Sequence, residues 1–312
     1  MLLQIQSGES LHSYIDRNIF LNWKDPSADF FRPFSKTVLL FSELKTIASA
    51  MGWLGCPGLN RLLHLHTEYP IHSVIRNSQD LSYSQDAYIS EAKWMGAKRQ
   101  DYSFCPDCIK EDLYTHGFSF WHRLHHQNID VCAKHNVILQ RRCPFCKRGF
   151  YFDNHGLEVM WNGCEGRSLA ESVAVANHDP IEYKRSKLLN DIHSCEYHIS
   201  EQIALKVLYE KLLSVDCQDF LPSQNADIYI NQLEWTISRM DLKIFASREQ
   251  LSRIGLCFEA IMLAYESFDG FLIDIKCHDN ALRPIESLWG TYKSGREFCF
   301  DYVTDDFNSE LG

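Results

Sequence analysis

Three ligand pairs within residues 105–146 constrain this chain more than any other feature. They are Cys105/Cys108 in CPDC, Cys132/His135 in CAKH and Cys143/Cys146 in CPFC. A CxxC or CxxH turn aims two soft ligands to one side of a tight loop, spaced to share one tetrahedral ion. A second pair arriving from distant sequence completes the tetrahedron and ties the intervening chain to itself. The spacing predicts a structural zinc site made of Cys105, Cys108, Cys132 and His135. Protein fills all four positions, which leaves no open one for a catalytic water. Cys143 and Cys146 open a second site, joined by Cys164. A regular ribbon would place its fourth ligand at 167, but that residue is Arg167. His155, His178 and Cys195 are the substitutes, or the second site is degenerate.

The start of the chain, MLLQIQSGESLHSY, has no basic segment followed by a long apolar one, so no signal peptide is expected. In a chain expected to be cytoplasmic, clustered cysteines then mean metal rather than disulfides. Cys56, Cys195, Cys217, Cys257, Cys277 and Cys299 are scattered and read as buried small hydrophobes. No run of eighteen apolar residues exists, so no membrane span is expected. The formal net charge is −10, yet residues 93–148 carry ten Lys/Arg against five Asp/Glu. Such a basic centre can meet phosphate, and Arg141 and Arg142 are its candidate contacts. The acidic remainder disfavours indiscriminate nucleic-acid binding and points to protein partners.

The pattern predicts a mainly α chain with small zinc-ribbon β elements. Three regions are expected: an N-terminal helical, helix-turn-helix-like region over 1–100, a zinc-ribbon module over 101–180, and a C-terminal helical domain over 181–312 with an acidic tail. Ser7 or Ser10 caps a first helix whose face carries Leu11, Tyr14, Ile15, Asn18 and Ile19. Pro26 and Pro33 mark a loop. Leu44, Ile47, Ala48 and Met51, a break at Gly52 or Gly55, then Leu59, Leu62 and Leu63 fit a helix-turn-helix. In a DNA-binding version, Asn60, Arg61 and His64 would lie on the exposed face of the second helix; a packing hairpin fits equally. Residues 67–104 read as loop and short helix, and 147–164 as a ribbon hairpin. Helices are expected near 184–194, 197–215, 227–242 and 248–265, the last with a core stripe of Leu251, Ile254, Phe258 and Met262.

Enzyme readings fare poorly. His66-Thr67-Glu68 ahead of CPDC imitates a deaminase signature, but the spacing is long and Cys132/His135 explain that CxxC better. His122, His125 and His126 lack a partner motif and read as surface groups or supports for the metal ligands. No phosphate-binding loop or nucleophile elbow is present.

ESLHSYIDR near the start, then CPDC, Trp121, Cys132-Ala-Lys-His135, Leu139 and CPFC in that order, resemble the TniQ/TnsD transposition proteins. The resemblance covers about the first half of the chain. It implies a non-catalytic target-site selector that links a target-recognising element to the AAA+ regulator TnsC. Shorter TniQ members of CRISPR-associated transposons sit as a homodimer on a Cascade complex with its guide RNA. Longer TnsD-like members bind a fixed attachment site on DNA. Length and acidity favour the Cascade-associated type, in which guide pairing reads the target DNA. The four ligands of the first site carry over to Cys105, Cys108, Cys132 and His135, whereas Arg167 departs from the pattern.

Overall fold

The computed structural model describes residues 2–22, 24–36, 38–76, 102–125, 129–150, 155–214, 223–240 and 247–285. The connection at 77–101, His126, the side chain of Leu251 and the acidic tail lie outside the described residues. The described residues form two compact units, one within 2–69 and 102–186, the other within 70–76 and 187–285.

In the first unit, α1 (Leu11–Leu21) starts where Ser10 accepts a hydrogen bond from the Ser13 amide. Leu11, Tyr14, Ile15 and Asn18 are buried as the pattern predicts, and so are the residues between them. The loop expected around Pro26 and Pro33 is instead α2 (Pro26–Phe31) and a 3-10 turn (Arg32–Phe34). Asp25 caps α2 and Pro26 takes its first position, where a missing amide costs nothing. α3 (Phe41–Ala50) and α4 (Gly55–His66) follow as a pair. Gly52 supplies the left-handed turn between them, at φ 77°, and a methyl on Gly58 would collide with the Trp53 backbone. Leu44, Ile47 and Ala48 of α3 and Leu59, Leu62 and Leu63 of α4 are buried.

The phrase ESLHSYIDR works as a clamp. Glu9 and Arg17 form a fully buried ion pair at 2.8 and 2.9 Å. Arg17 also donates to the Gln4 carbonyl at 2.6 Å, and Glu9 accepts from the Gln6 amide at 2.9 Å. Burial raises the Glu9 carboxyl above its ordinary range, and the Arg17 guanidinium opposes that shift. Ser10 donates its amide to the Trp121 carbonyl, and Ser13 Oγ accepts the Trp121 amide at 3.0 Å. Trp121 stacks on Tyr102 at 4.5 Å and joins Phe104, Ile109, Phe150, Leu157, Val159, Met160 and Leu169 in the core.

α5 (Tyr69–Ser73) leads into the second unit. There β1 (Ile75–Arg76), β2 (Tyr197–Ser200) and β3 (Leu282–Pro284) form a sheet in the order β1-β2-β3, parallel then antiparallel. α6 (Pro106–His116) belongs to the first unit, and α7 (Pro180–His193) spans the boundary. α8 (Glu201–Ser214), α9 (Ser223–Met240), α10 (Ser247–Ala264) and α11 (Phe268–Lys276) pack around Leu205, Leu208, Leu233, Ile261 and Phe271. Ile254 is buried, and Phe258 and Met262 pack against this core. The expected helix over 197–215 therefore begins as a strand. Tyr197–Ser200 is too short for periodicity to separate helix from strand, and two partner strands satisfy its backbone. No helix among the described residues is long and apolar enough to cross a membrane.

Two measurements probe these interiors. Arg17→Met leaves a buried carboxylate without its cation and is expected to cost about 3–5 kcal/mol. Glu9→Gln combined with Arg17→Met should recover part of that loss in thermal unfolding. In the second unit, burial, followed by the nearby Arg76 charge, holds His198 down to about 3 against an ordinary 6.5, although its ring also bonds the Ser73 carbonyl at 3.0 Å. The folded chain keeps this ring neutral where the unfolded chain protonates it. Stability from this group is complete above the unfolded value and is lost as pH falls towards the folded one. At pH 5 the loss is about 2 kcal/mol. His198→Gln should flatten the fall in melting temperature between pH 7 and pH 5.

Candidate metal centre

Cys105 is the cap of α6, Pro106 is its first residue, and Cys108 sits in its first turn. The CAKH turn brings the second pair. Asn136 donates to the Cys132 carbonyl at 2.9 Å with φ 51°, and Cys132 donates to the Val137 carbonyl at 2.8 Å. CPFC repeats that geometry: Lys147 donates to Cys143 at 3.0 Å with φ 65°, and Cys143 donates to Arg148 at 2.8 Å. These two turns are the same knuckle built twice.

Four ligand atoms, from Cys105, Cys108, Cys132 and His135, lie within 4.8 Å of one another. The His135 Nδ1 is 3.4 Å from the sulfurs of Cys105 and Cys108 and 3.6 Å from that of Cys132, and Cys108 and Cys132 are 3.7 Å apart. A tetrahedral zinc with ordinary bond lengths requires about 3.8 Å between sulfurs and about 3.5 Å between sulfur and nitrogen. The donor set and its spacing fit zinc. On the far side of its ring, His135 Nε2 meets Glu111 Oε1 at 3.1 Å, and Lys134 pairs with the same carboxylate. That carboxylate orients the imidazole. His125, buried and kept neutral by its burial, places Nε2 3.8 Å from the Cys108 sulfur. Its ring lies 4.9 Å from His122, which meets Asp112 at 2.8 Å. His122 and His125 therefore support the ligands and are not part of the quartet.

The second quartet is Cys143, Cys146, His155 and Cys164, again within 4.8 Å. Cys143 and Cys164 are 3.6 Å apart, and Cys146 lies 3.4 Å from His155 Nε2. Burial, then the neighbouring sulfurs of Cys143 and Cys146, push the Cys164 thiol up to about 12. A dication would reverse that balance by attracting the thiolates. Of the three substitutes for the fourth ligand, only His155 joins the cluster. His178 is exposed, and Cys195 donates to the Tyr197 carbonyl at 3.3 Å in the second unit. Arg167 is excluded by its turn. Glu165 and Gly166 both have positive φ, and Arg167 donates back to the Cys164 carbonyl at 3.0 Å. That two-residue turn is unlike the knuckles, and it sends the Arg167 guanidinium over the Phe145 ring at 3.9 Å.

The ribbon hairpin expected over 147–164 is replaced in part by a 3-10 helix at Leu157–Trp161. Nine residues run from His155 to Cys164 and would span about 30 Å if extended. Their ligand atoms meet in one cluster, so the chain coils back and buries Leu157, Val159 and Met160 on the way.

The candidate contact residues fare unevenly. Arg61 is exposed, with its guanidinium 4.4 Å over the Trp53 ring. Asn60 and His64, expected on an exposed face, are 1% and 2% exposed. The reason is that α4 is covered on more than its leucine stripe, with His64 edge-on to Tyr69 at 5.4 Å and its carbonyl accepting from Arg123. Arg141 pairs with Asp130 at 2.6 Å, and Arg142 donates weakly to the Lys147 carbonyl at 3.5 Å; both are exposed. His66 Nδ1 donates to the Glu9 carbonyl at 2.8 Å and belongs to neither cluster, which removes the deaminase-like reading. Among the scattered cysteines, Cys195 and Cys257 are buried as expected, whereas Cys277 is exposed at the end of α11.

Metal analysis of the purified chain is expected to give about two zinc equivalents. His155→Ala should lower that to about one while the first site stays loaded, and Cys105→Ser should cost the fold of the first unit, read as aggregation or early melting. Unchanged zinc content in His155→Ala would remove His155 from the second site.

Comparison with known proteins bears on the same residues. Residues 1–139 match the family model TniQ. A comparison with curated proteins returned no match. The matched stretch contains the Glu9–Arg17 clamp, Trp121 and all four residues of the first quartet, so a TniQ domain occupies the first 139 residues and supports placing the chain in the TniQ/TnsD family of transposition proteins.

Proposed function

We propose that this protein is a non-enzymatic target-site adaptor, joining an RNA-guided Cascade complex to the AAA+ regulator TnsC and acting as a homodimer. The observation that carries this reading is the TniQ domain built around a coordinatively closed Cys3His quartet. A closed site stabilises a scaffold and offers no position for substrate. The family is associated with transposition, and its chemistry of strand transfer lies elsewhere. The acidic overall charge of −10 supports protein contacts over indiscriminate DNA binding.

The zinc ions, when bound, would be held by Cys105, Cys108, Cys132 and His135 and by Cys143, Cys146, His155 and Cys164. They supply cross-links rather than Lewis-acid chemistry. The chain's own residues do the remaining work by holding surfaces rigidly enough for a partner to read.

A second reading, a TnsD-like protein marking a fixed DNA site, rests on Arg61, Arg141 and Arg142, which are all exposed. Burial of Asn60 and His64 removes two of the three base-reading candidates of α4. Co-purification with Cascade subunits, with and without guide RNA, separates the two. The adaptor should associate at moderate salt and show only weak, sequence-independent DNA binding. Strong binding to one duplex, with a steep salt dependence and a specific-over-nonspecific ratio of about a thousandfold or more, would favour the second reading.

A further inference from the structure

The unit that carries the two Cys3His clusters also has an extended edge with no backbone partner among the described residues. Residues 136–140 lie between two neighbouring segments. On one side Cys132 donates to Val137 and Leu139 to Asp130, both at 2.8 Å. On the other, Ile138 donates to Val175 at 2.8 Å and Asn177 to Asn136 at 3.0 Å. That antiparallel register turns the Val175 carbonyl and the Asn177 amide inwards. The amide and carbonyl of Ala176, and by two-residue alternation those of Ala174, then face outwards. Among the described residues no hydrogen bond reaches these four groups. The segment is held open by Gln140, whose Nε2 donates to the Val173 carbonyl at 2.8 Å and whose Oε1 accepts from Ser172 Oγ at 2.7 Å.

The side chains add an apolar strip to this edge. Val137 and Leu139 are buried, but on the opposite face Ile138 is 43% exposed and Val175 52%, and Val173 beyond them is 80% exposed. Natural sheets protect such edges with charges, proline or a bulge. Residues 172–177 read SVAVAN and contain no charge and no proline. Unpaired amides and carbonyls alternating along an extended, aliphatic segment are complementary to another extended strand and to little else.

We propose that residues 173–176 receive an extended peptide segment of a partner protein by strand addition. The incoming strand carries β-branched or aliphatic side chains at alternate positions, over Ile138, Val173 and Val175. Glu171 and Asp179 at the two ends of the edge are already engaged, Glu171 with Arg167 at 3.3 Å and Asp179 with the Ile181 amide at 2.8 Å, so the edge selects on backbone pairing and apolar side chains. A four-residue edge buries far less than the roughly 1,000 Å² that a stable dimer needs, which disfavours a second copy of this chain as the occupant. This mode of contact stands whether or not the partner belongs to an RNA-guided complex.

The probe is a short synthetic peptide alternating valine and threonine between terminal lysines, added to the full-length chain while amide hydrogen exchange is followed residue by residue. Exchange at Ala174 and Ala176 should slow at least about tenfold, and Asn177, already bonded inwards, should not change. The same peptide N-methylated on its edge-facing amides should give no protection. Ala176→Pro should abolish protection at Ala174 without lowering the melting temperature, and if that variant misfolds the N-methylated comparison decides alone. Unchanged exchange at millimolar peptide overturns the proposal, as does equal protection by the N-methylated peptide, which would mark charge attraction only. Protection that rises with protein concentration in the absence of peptide would assign the edge to a second copy and overturn it as well.

Discussion

Three sulfurs and one imidazole nitrogen drawn within a few ångströms form the constraint on which the first unit depends. Buried thiols at that separation repel one another once ionised and gain little while protonated. A divalent cation would turn the same cluster into a cross-link between the start of α6 and the knuckle at 132–135. Phe104 precedes the first ligand, and its backbone exchanges hydrogen bonds with Gln140, beyond the last one. Gln140 in turn holds Ser172 and Val173, so the open edge is three contacts from the quartet.

The clamp at the start of the chain performs the complementary task. Glu9 and Arg17 are both removed from water, an arrangement whose desolvation cost is offset only by good geometry and additional hydrogen bonds. Here the additional partners are backbone groups of Gln4 and Gln6, so the pair fixes the path of the first residues as well as its own geometry. Ser10 and Ser13 then hand the start of α1 to Trp121, which is part of the core against the metal-binding segment. Two phrases more than a hundred residues apart in sequence thus form one contact.

Some of the site could be read from spacing because ligand geometry is local. A CxxC or CxxH turn brings its two ligands together whatever surrounds it, so the first quartet and three members of the second were visible in the chain. His155 was one of three substitutes, and nothing local distinguished it. Its selection depends on the 3-10 helix at Leu157–Trp161 folding the chain back to Cys164. The exposure expected for Asn60 and His64 failed for a related reason. Polar residues on a helix read as solvent-facing until a neighbouring segment, here Tyr69 and Arg123, covers them.

The amino-acid order alone determined the helical class, a serine cap for the first helix, the glycine-broken pair α3–α4 and the chemistry of the candidate metal ligands. These properties arise from capping, periodicity and turn geometry within a few residues. Tertiary structure decided which of three candidates joins the second cluster, the burial of the α4 polar residues, the strand at Tyr197–Ser200 and the edge at 173–176, unpaired among the described residues. Each of these depends on which distant segment arrives to accept a hydrogen bond or exclude water, and a short stretch of sequence does not encode its own neighbours.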